Sequence, residues 1–241
     1  MKNIILSAGS SIRFKKKNFD KPKFLLKVKK SIMLLEAAKS LPKKNEWILI
    51  FQEKDLIKYN YLQKIIDRNF KNKKIISLKR KTSGQASSLI KIKNYISEND
   101  SIFITSNDMK FDYDKKKFNN LFYQKKNIVF VVQPTNFMIK NPNHFGWVRV
   151  NENNQVLKVS IKKQFSNFSK NDKVIIGSFF FNSFKEFEFF YKKLKKKKLK
   201  INNEYYIDAV VKEMHFQKKI SFIEVNNFLS WGTPKEYEEN K

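Results

Sequence analysis

The sequence predicts an α/β fold: a single domain with a mixed, mostly parallel central sheet flanked by helices. Three observations carry that expectation. Short β-branched apolar runs alternate with segments of helical period through the first half of the 241 residues, the pattern of a doubly wound sheet. In the second half, apolar runs follow one another more closely, which adds strand pairs and makes the sheet mixed. No repeat and no Pro/Ser-rich linker divides the chain, so residues 1–241 read as one domain.

Taken in order, the strands are residues 3–7, 47–51, 74–78, 101–105, 128–133, 147–150, 156–161, 174–181 and 220–225. Each is a run such as Trp47-Ile48-Leu49-Ile50-Phe51, too short for a helix and rich in β-formers. Helical period marks residues 31–41, 55–69, 86–96, 115–125, 184–197 and 204–214, and a short last helix starts at Pro234. In the stretch 184–197, Phe184, Phe187, Phe190 and Leu194 recur at helical spacing, so its lysines form the solvated face.

Composition sets the outer limits. Apolar residues at 41% and aromatics at 15% exclude a disordered or collagen-like chain. Without cysteine there is no disulfide, thiolate metal site or cysteine nucleophile. No stretch approaches the ~20 apolar residues of a membrane span, and the N-terminal run is cut short by Arg13 and a lysine cluster. The expected location is cytoplasmic.

The net charge of +29 favours polyanionic or phosphorylated partners. Only Arg13, Arg68, Arg80 and Arg149 are arginines, which argues against specific nucleic-acid recognition. The remaining cations are lysines spread along the chain beside abundant Asn, Ile and Phe. All four residue types have A/T-rich codons, so nucleotide composition accounts for much of the charge.

Glycine is scarce, with five in all: Gly9, Gly84, Gly146, Gly177 and Gly232. Gly9 and Gly84 each follow a predicted strand and precede polar residues. Asp108 follows the strand 101–105 at the same edge, and ligands of open α/β sheets bind outside the carboxyl ends of strands. The segment Ile4-Ile5-Leu6-Ser7-Ala8-Gly9-Ser10-Ser11-Ile12-Arg13-Phe14 is an apolar strand running into a small-residue loop. Such loops let backbone N–H groups approach an anion, and Arg13 adds a fixed positive fork. Lys21-Pro22-Lys23 then sets another cation beside a rigid proline. Taken alone, this loop reads equally well as a surface turn.

The ordered set is more specific. Ala-Gly-x-x-x-Arg-Phe followed by Pro-Lys-x-Leu resembles the signature of nucleotidyltransferases with the A-type glycosyltransferase-like fold, the sugar-phosphate nucleotidylyltransferases and related cytidylyltransferases. The resemblance continues through Thr82-Ser83-Gly84-Gln85-Ala86-Ser87, Ser106-Asn107-Asp108 and Phe145-Gly146-Trp147-Val148. Val159-Ser160-Ile161-Lys162-Lys163, Asn203-Glu204-Tyr205-Tyr206-Ile207-Asp208 and Trp231-Gly232-Thr233-Pro234 complete the order.

The resemblance implies a Rossmann-like nucleotidyltransferase fold, with a nucleotide-binding half at about 1–125 and an acceptor-binding half at about 126–241. It implies transfer of a nucleoside monophosphate from an NTP to a phosphorylated small-molecule acceptor, a sugar phosphate first of all, with release of pyrophosphate. Arg13, Lys23 and Asp108 are the implied catalytic residues. Ser7, Ala8, Gly9, Ser10, Ser11, Thr82, Gly84, Gln85 and Ala86 would bind the nucleotide, and Gly146, Lys163 and Glu204 the acceptor. Mg²⁺ is the implied cofactor, on Asp108 and on Asp208. The C-terminal blocks resemble members from surface-polysaccharide pathways. A homo-oligomer stays open.

Two departures accompany this resemblance. Lys162 stands where the family often has Glu, which leaves room for a non-sugar acceptor. No acid precedes Gly232-Thr233, where many members carry a second metal carboxylate, so a degenerate nucleotide-binding member is an alternative. A basic nucleic-acid-associated protein is the alternative from outside the enzymes.

Overall fold

A computed structural model describes residues 1–241. In chain order the elements are β1 (Lys2–Leu6), α1 (Ile12–Lys15), β2 (Lys27–Val28), β3 (Ser31–Ile32), α2 (Met33–Ala38), β4 (Glu46–Gln52), α3 (Glu53–Lys58) and α4 (Tyr61–Asn69). There follow β5 (Lys73–Leu78), α5 (Gln85–Ile90), β6 (Ile102–Ser106), β7 (Met109–Asp112), α6 (Lys115–Tyr123), β8 (Asn127–Val132) and α7 (Asn136–Lys140). The rest is β9 (Gly146–Val150), β10 (Val156–Ile161), β11 (Asp172–Phe181), α8 (Phe184–Lys196), α9 (Ile207–His215), β12 (Ile220–Glu224), β13 (Asn226–Ser230) and α10 (Pro234–Asn240). No helix is long and apolar enough to cross a membrane.

The nine predicted strands are β1, β4, β5, β6 and β8 to β12, and β10 matches at both ends. The α/β class and the mixed sheet both stand. The helices shift for local reasons. The predicted helix 31–41 begins only at Met33, because Ser31 and Ile32 pair with Val28 and Lys27 as a hairpin whose turn holds Lys29 at φ 52°. The predicted helix 55–69 breaks at Tyr59 and Asn60 into α3 and α4.

The chain forms two compact units. The first comprises Met1–Thr82, Phe103–Asp112 and Asn227–Lys241. Its strands run in the order β6-β1-β4-β5, with β1, β4 and β5 parallel, so that Leu6 faces Ile50 and Ile50 faces Ile76. Residues 48–51 of β4 are wholly buried, as both faces of a parallel sheet are covered. Beside this sheet, β13 pairs with β7. Phe14 of α1 sits in an apolar cluster with Leu26, Val28, Met33, Trp231 and Tyr237, which ties the start of the chain to α10.

The second unit comprises Ser83–Ile102 and Tyr113–Asn226. Here the strand order is β10-β9-β11-β8-β12, antiparallel except for β12 beside β8. The register of β11 against β8 shifts between Ile175 and Phe179, and Gly177 at φ 87° takes up the irregularity. In α8 the stripe Phe184, Phe187, Phe190, Leu194 is buried, as its spacing predicts. Ser183 caps this helix by accepting the Glu186 amide.

Candidate functional site

In the first unit, the loop after β1 is built by a strand that runs out of apolar residues at Ser7. The Ser7 amide still donates to the Ile50 carbonyl at 2.8 Å, and the Gln52 side chain donates to the Ala8 carbonyl at 2.9 Å. Beyond these two bonds the loop leaves its donors open: no protein acceptor meets the amides of Gly9, Ser10 or Ser11. Ser11 sits in the left-handed region at φ 51° and leads into α1, where buried Phe14 anchors the turn that carries Arg13. The loop lines a small pocket with Lys15, Gln52, Lys54 and Lys81. Open N–H groups beside three lysines, with the Asp55 carboxyl also on the wall, are a setting that can accept an anion.

Lys23 approaches the same loop. Pro22 starts a short turn at residues 23–25, buried Phe24 and Leu25 hold it, and the Lys23 amide donates to Ser11 Oγ at 3.3 Å. Its ammonium forms an ion pair with Asp108 Oδ2, and the Ser106 hydroxyl donates to Asp108 Oδ1. The Asp108 carbonyl accepts the Trp231 amide at 2.8 Å, so the carboxylate is fixed from both ends. Burial works against its charge, but Lys23, Ser106 and Arg13 outweigh burial, and the carboxyl lies below its ordinary value. Asp108 is therefore ionised at neutral pH.

In the second unit, Gly84 turns the chain into α5 at φ 103°. The Tyr205 amide donates to the Ser83 carbonyl at 2.7 Å, and the Ala86 amide donates to the Tyr205 carbonyl at 3.1 Å. A Cβ at position 84 would lie 2.6 Å from that carbonyl oxygen, so only glycine fits. Gln85 opens α5, and its side chain makes no hydrogen bond within the protein. Glu204 lies beside Gly84, its Cβ 3.0 Å from where an added Cβ would stand.

Gly146 begins β9 directly over Asp208, whose Oδ2 would lie 2.5 Å from a Cβ at 146. Asp208 starts α9 and is buried; burial raises its carboxyl above the ordinary value, against Lys162 and the amides of Asp208 and Ala209. Lys162 is held at φ 57°, donates to the His144 carbonyl and lies 5.1 Å from the centre of the Tyr206 ring. Lys163 is exposed, its carbonyl accepting from Ser160 Oγ at 2.5 Å.

The sequence-predicted residues thus fall into two groups. Ser7 to Ser11, Arg13, Lys23 and Asp108 belong to the first unit, with Thr82 at its border. Gly84, Gln85, Ala86, Gly146, Lys163, Glu204 and Asp208 belong to the second. Ser106, Gln52 and the Trp231 amide are the supports that residue-by-residue reading missed. Ser106 and Trp231 left a signal, each standing in one of the motif blocks of the sequence, Ser106 two residues before Asp108; Gln52 left none.

No cluster of three His, Asp or Glu side chains is present to form a closed metal cage. Asp108, with the Glu236 carboxylate across Gly232 from it, fits Mg²⁺ in its usual setting, where one or two carboxylates share the ion with substrate phosphates and water.

A parallel sheet whose first strand ends in a loop of open amides, with Asp108 beyond a second strand paired to Lys23 from the turn at residues 23–25, is the frame of an α/β enzyme. A family model described as nucleotidyl transferase matches residues 2–236, and the chain belongs to that family. Its reaction is nucleotidyl transfer from an NTP to a phosphorylated acceptor, with release of pyrophosphate.

Solved structures with the same fold include a nucleoside-diphosphate-sugar pyrophosphorylase from Vibrio cholerae RC9, 17% identical with 98% of each chain covered and a TM-score of 0.79. The inositol-1-phosphate CTP transferase from T. maritima is 16% identical, with 98% of this chain and 90% of that one covered and a TM-score of 0.71. UDP-glucose pyrophosphorylase from Acinetobacter baumanii is 11% identical, with coverages of 99% and 91% and a TM-score of 0.75. No curated protein matches the chain.

Proposed function

We propose that the protein activates a sugar phosphate, transferring a nucleoside monophosphate to it for the synthesis of a surface polysaccharide or glycan. The observation that carries this reading is the open-amide loop of residues 9–11 beside the Lys23–Asp108–Ser106 cluster. The amides of Gly9 to Ser11, with Arg13 and Lys23, hold the triphosphate and take up negative charge on the departing pyrophosphate. An acceptor phosphate oxygen attacks the α-phosphorus, forming one P–O bond as the bond to the β-phosphate bridge breaks. The protein supplies no nucleophile; positioning and charge stabilisation do the work.

Asp108 is the residue that would hold Mg²⁺, which when bound offsets phosphate charge. In the second unit, Gly84, Gln85 and Ala86 are assigned to the base, with Gln85 reading its edge, and Gly146, Lys163 and Glu204 to the acceptor. Solved structures of the same fold that are named for sugar nucleotides support the acceptor class by analogy.

Lys162 favours a second reading, a phosphorylated acceptor that is not a neutral sugar, because an ammonium stands where hydroxyls would meet a carboxylate. One assay tests both readings: pyrophosphate release with Mg²⁺, each of the four NTPs and a panel of phosphorylated acceptors. Turnover with hexose 1-phosphates supports the first reading. Turnover only with phosphorylated amines or acids supports the second. Nucleotide-induced thermal stabilisation without turnover defeats both.

A further inference from the structure

We propose that Lys23 is the resident cation of the Asp108 carboxylate, so that a divalent metal gains this carboxylate only together with the nucleotide, as the Lys23 ammonium passes from Asp108 to the phosphates. This rests on the reading of Asp108 as the metal carboxylate. Both Asp108 oxygens are already engaged, Oδ1 by the Ser106 hydroxyl and Oδ2 by the Lys23 ammonium. The pair is largely enclosed, with side-chain exposures of 18% for Lys23 and 12% for Asp108. A divalent ion on Oδ2 would face the ammonium at a few ångströms with little water between them, so the two cations exclude each other.

One further acid stands near, and it is engaged as well: Glu236 Oε2 and Asp108 Oδ2 lie 3.6 Å and 3.5 Å from where a Cβ at Gly232 would stand, and Glu236 Oε2 accepts the Thr233 hydroxyl at 2.7 Å. Leu229-Ser230-Trp231-Gly232-Thr233 carries no acid, and no three acidic or histidine side chains cluster anywhere. Free metal therefore meets Asp108 already neutralised by a lysine, and Glu236 already bonded by the Thr233 hydroxyl. A metal arriving on a triphosphate meets a different balance, because the phosphates attract the lysine as the metal takes its place.

Geometry gives Lys23 a short path for that exchange. Its backbone is pinned by Pro22, by buried Phe24 and Leu25, and by the bond from its amide to Ser11 Oγ. Only the four-carbon stem is left to turn, and it starts from the loop whose amides are open. One residue thus holds Asp108 in place before the substrate binds and holds phosphate afterwards.

The test is Mn²⁺ binding to the full chain, read by electron paramagnetic resonance, with and without inorganic tripolyphosphate as a base-independent probe. Wild type binds Mn²⁺ alone weakly, and tripolyphosphate strengthens binding at least about tenfold. Lys23→Met and Lys23→Gln bind Mn²⁺ alone about tenfold or more tighter than wild type, yet lose affinity for tripolyphosphate. Two variants are used so that a folding defect in one, checked by thermal melting, leaves the other informative.

If neither variant binds Mn²⁺ more tightly than wild type, while Asp108→Asn abolishes tripolyphosphate-dependent binding, the exchange is wrong and the metal reading survives. If Lys23→Met/Asp108→Asn binds Mn²⁺ as tightly as Lys23→Met alone, Asp108 is not the metal carboxylate and both fall.

Discussion

A methyl group added at Gly9 in the first unit would meet no atom within 4 Å. At Gly84 and Gly146 in the second unit it would lie 2.6 Å from the Tyr205 carbonyl and 2.5 Å from Asp208 Oδ2. One glycine keeps room for something that is not protein; the other two let parts of the protein touch. The buried aspartates differ in the same sense. Asp108 is held in its charged form by a lysine, a hydroxyl and an arginine, whereas burial dominates at Asp208 and favours its proton. The first unit is organised around a paired, charged carboxylate and a loop with open space beside it, the second around close packing over a buried carboxyl.

The sharpest test of this contrast is Asp108→Asn. It removes the charge that pairs with Lys23 and that would hold Mg²⁺, and kcat falls by roughly 10²–10³-fold in the pyrophosphate assay. A rate near wild type would remove Asp108 from the chemistry. Next comes the glycine pair. Gly84→Ala costs about 2–4 kcal/mol in urea unfolding, from backbone strain at φ 103° plus the clash with Tyr205. Gly9→Ala stays within about 0.5 kcal/mol of wild type while kcat/KM for the NTP drops. Equal destabilisation at the two positions would erase the distinction between room for a ligand and room for the protein.

A smaller effect separates clash from strain at Gly146. Gly146→Ala costs about 1–3 kcal/mol, and about 1 kcal/mol or more of that is recovered when Asp208 is also alanine. An additive double mutant would mean that the two residues do not press on each other. The smallest effect concerns pH. The Asp208 carboxyl is raised above its ordinary 3.8, so the native state binds this proton more tightly than the unfolded chain. Its favourable contribution is complete below 3.8 and is lost as pH rises through the native value. At pH 7 the carboxyl is a net cost to folding, and Asp208→Asn raises Tm by about 2–4 °C, a gain that disappears on acidification. A lowered Tm at pH 7 would show that Lys162 more than compensates burial.

Much of this architecture is legible in the residues. Runs such as Ile4-Ile5-Leu6 in β1 and Ile128-Val129-Phe130 in β8 are long enough to show a strand, and the α8 stripe shows its own period. The elements that escape, namely α1, β2, β3, β7, α7 and β13, span only two to five residues, too few for any period to register. In β13, Asn226 and Asn227 are exposed, so the polar sequence hides a strand that exists only because β7 pairs with it. The loop at Gly9 and the strand-end Asp108 stand out because small residues and a lone acid are unusual after apolar runs. The Lys23–Asp108 pair spans 85 positions, and nothing in either segment announces the other. The same holds for Gly146 and Asp208, whose contact depends on how β9 and α9 pack.

The cluster that joins Phe14 to Trp231 and Tyr237 has a consequence for synthesis on the ribosome. Phe14, Leu26, Val28 and Met33 are made close together, but Trp231 and Tyr237, which complete their cluster, follow Phe14 by more than two hundred residues. The Trp231 amide that fixes the Asp108 carbonyl arrives equally late. Until then a nascent chain has the loop and the aspartate but not Trp231 and Tyr237, so the wall that fixes the Asp108 carbonyl forms only once these residues have left the ribosome.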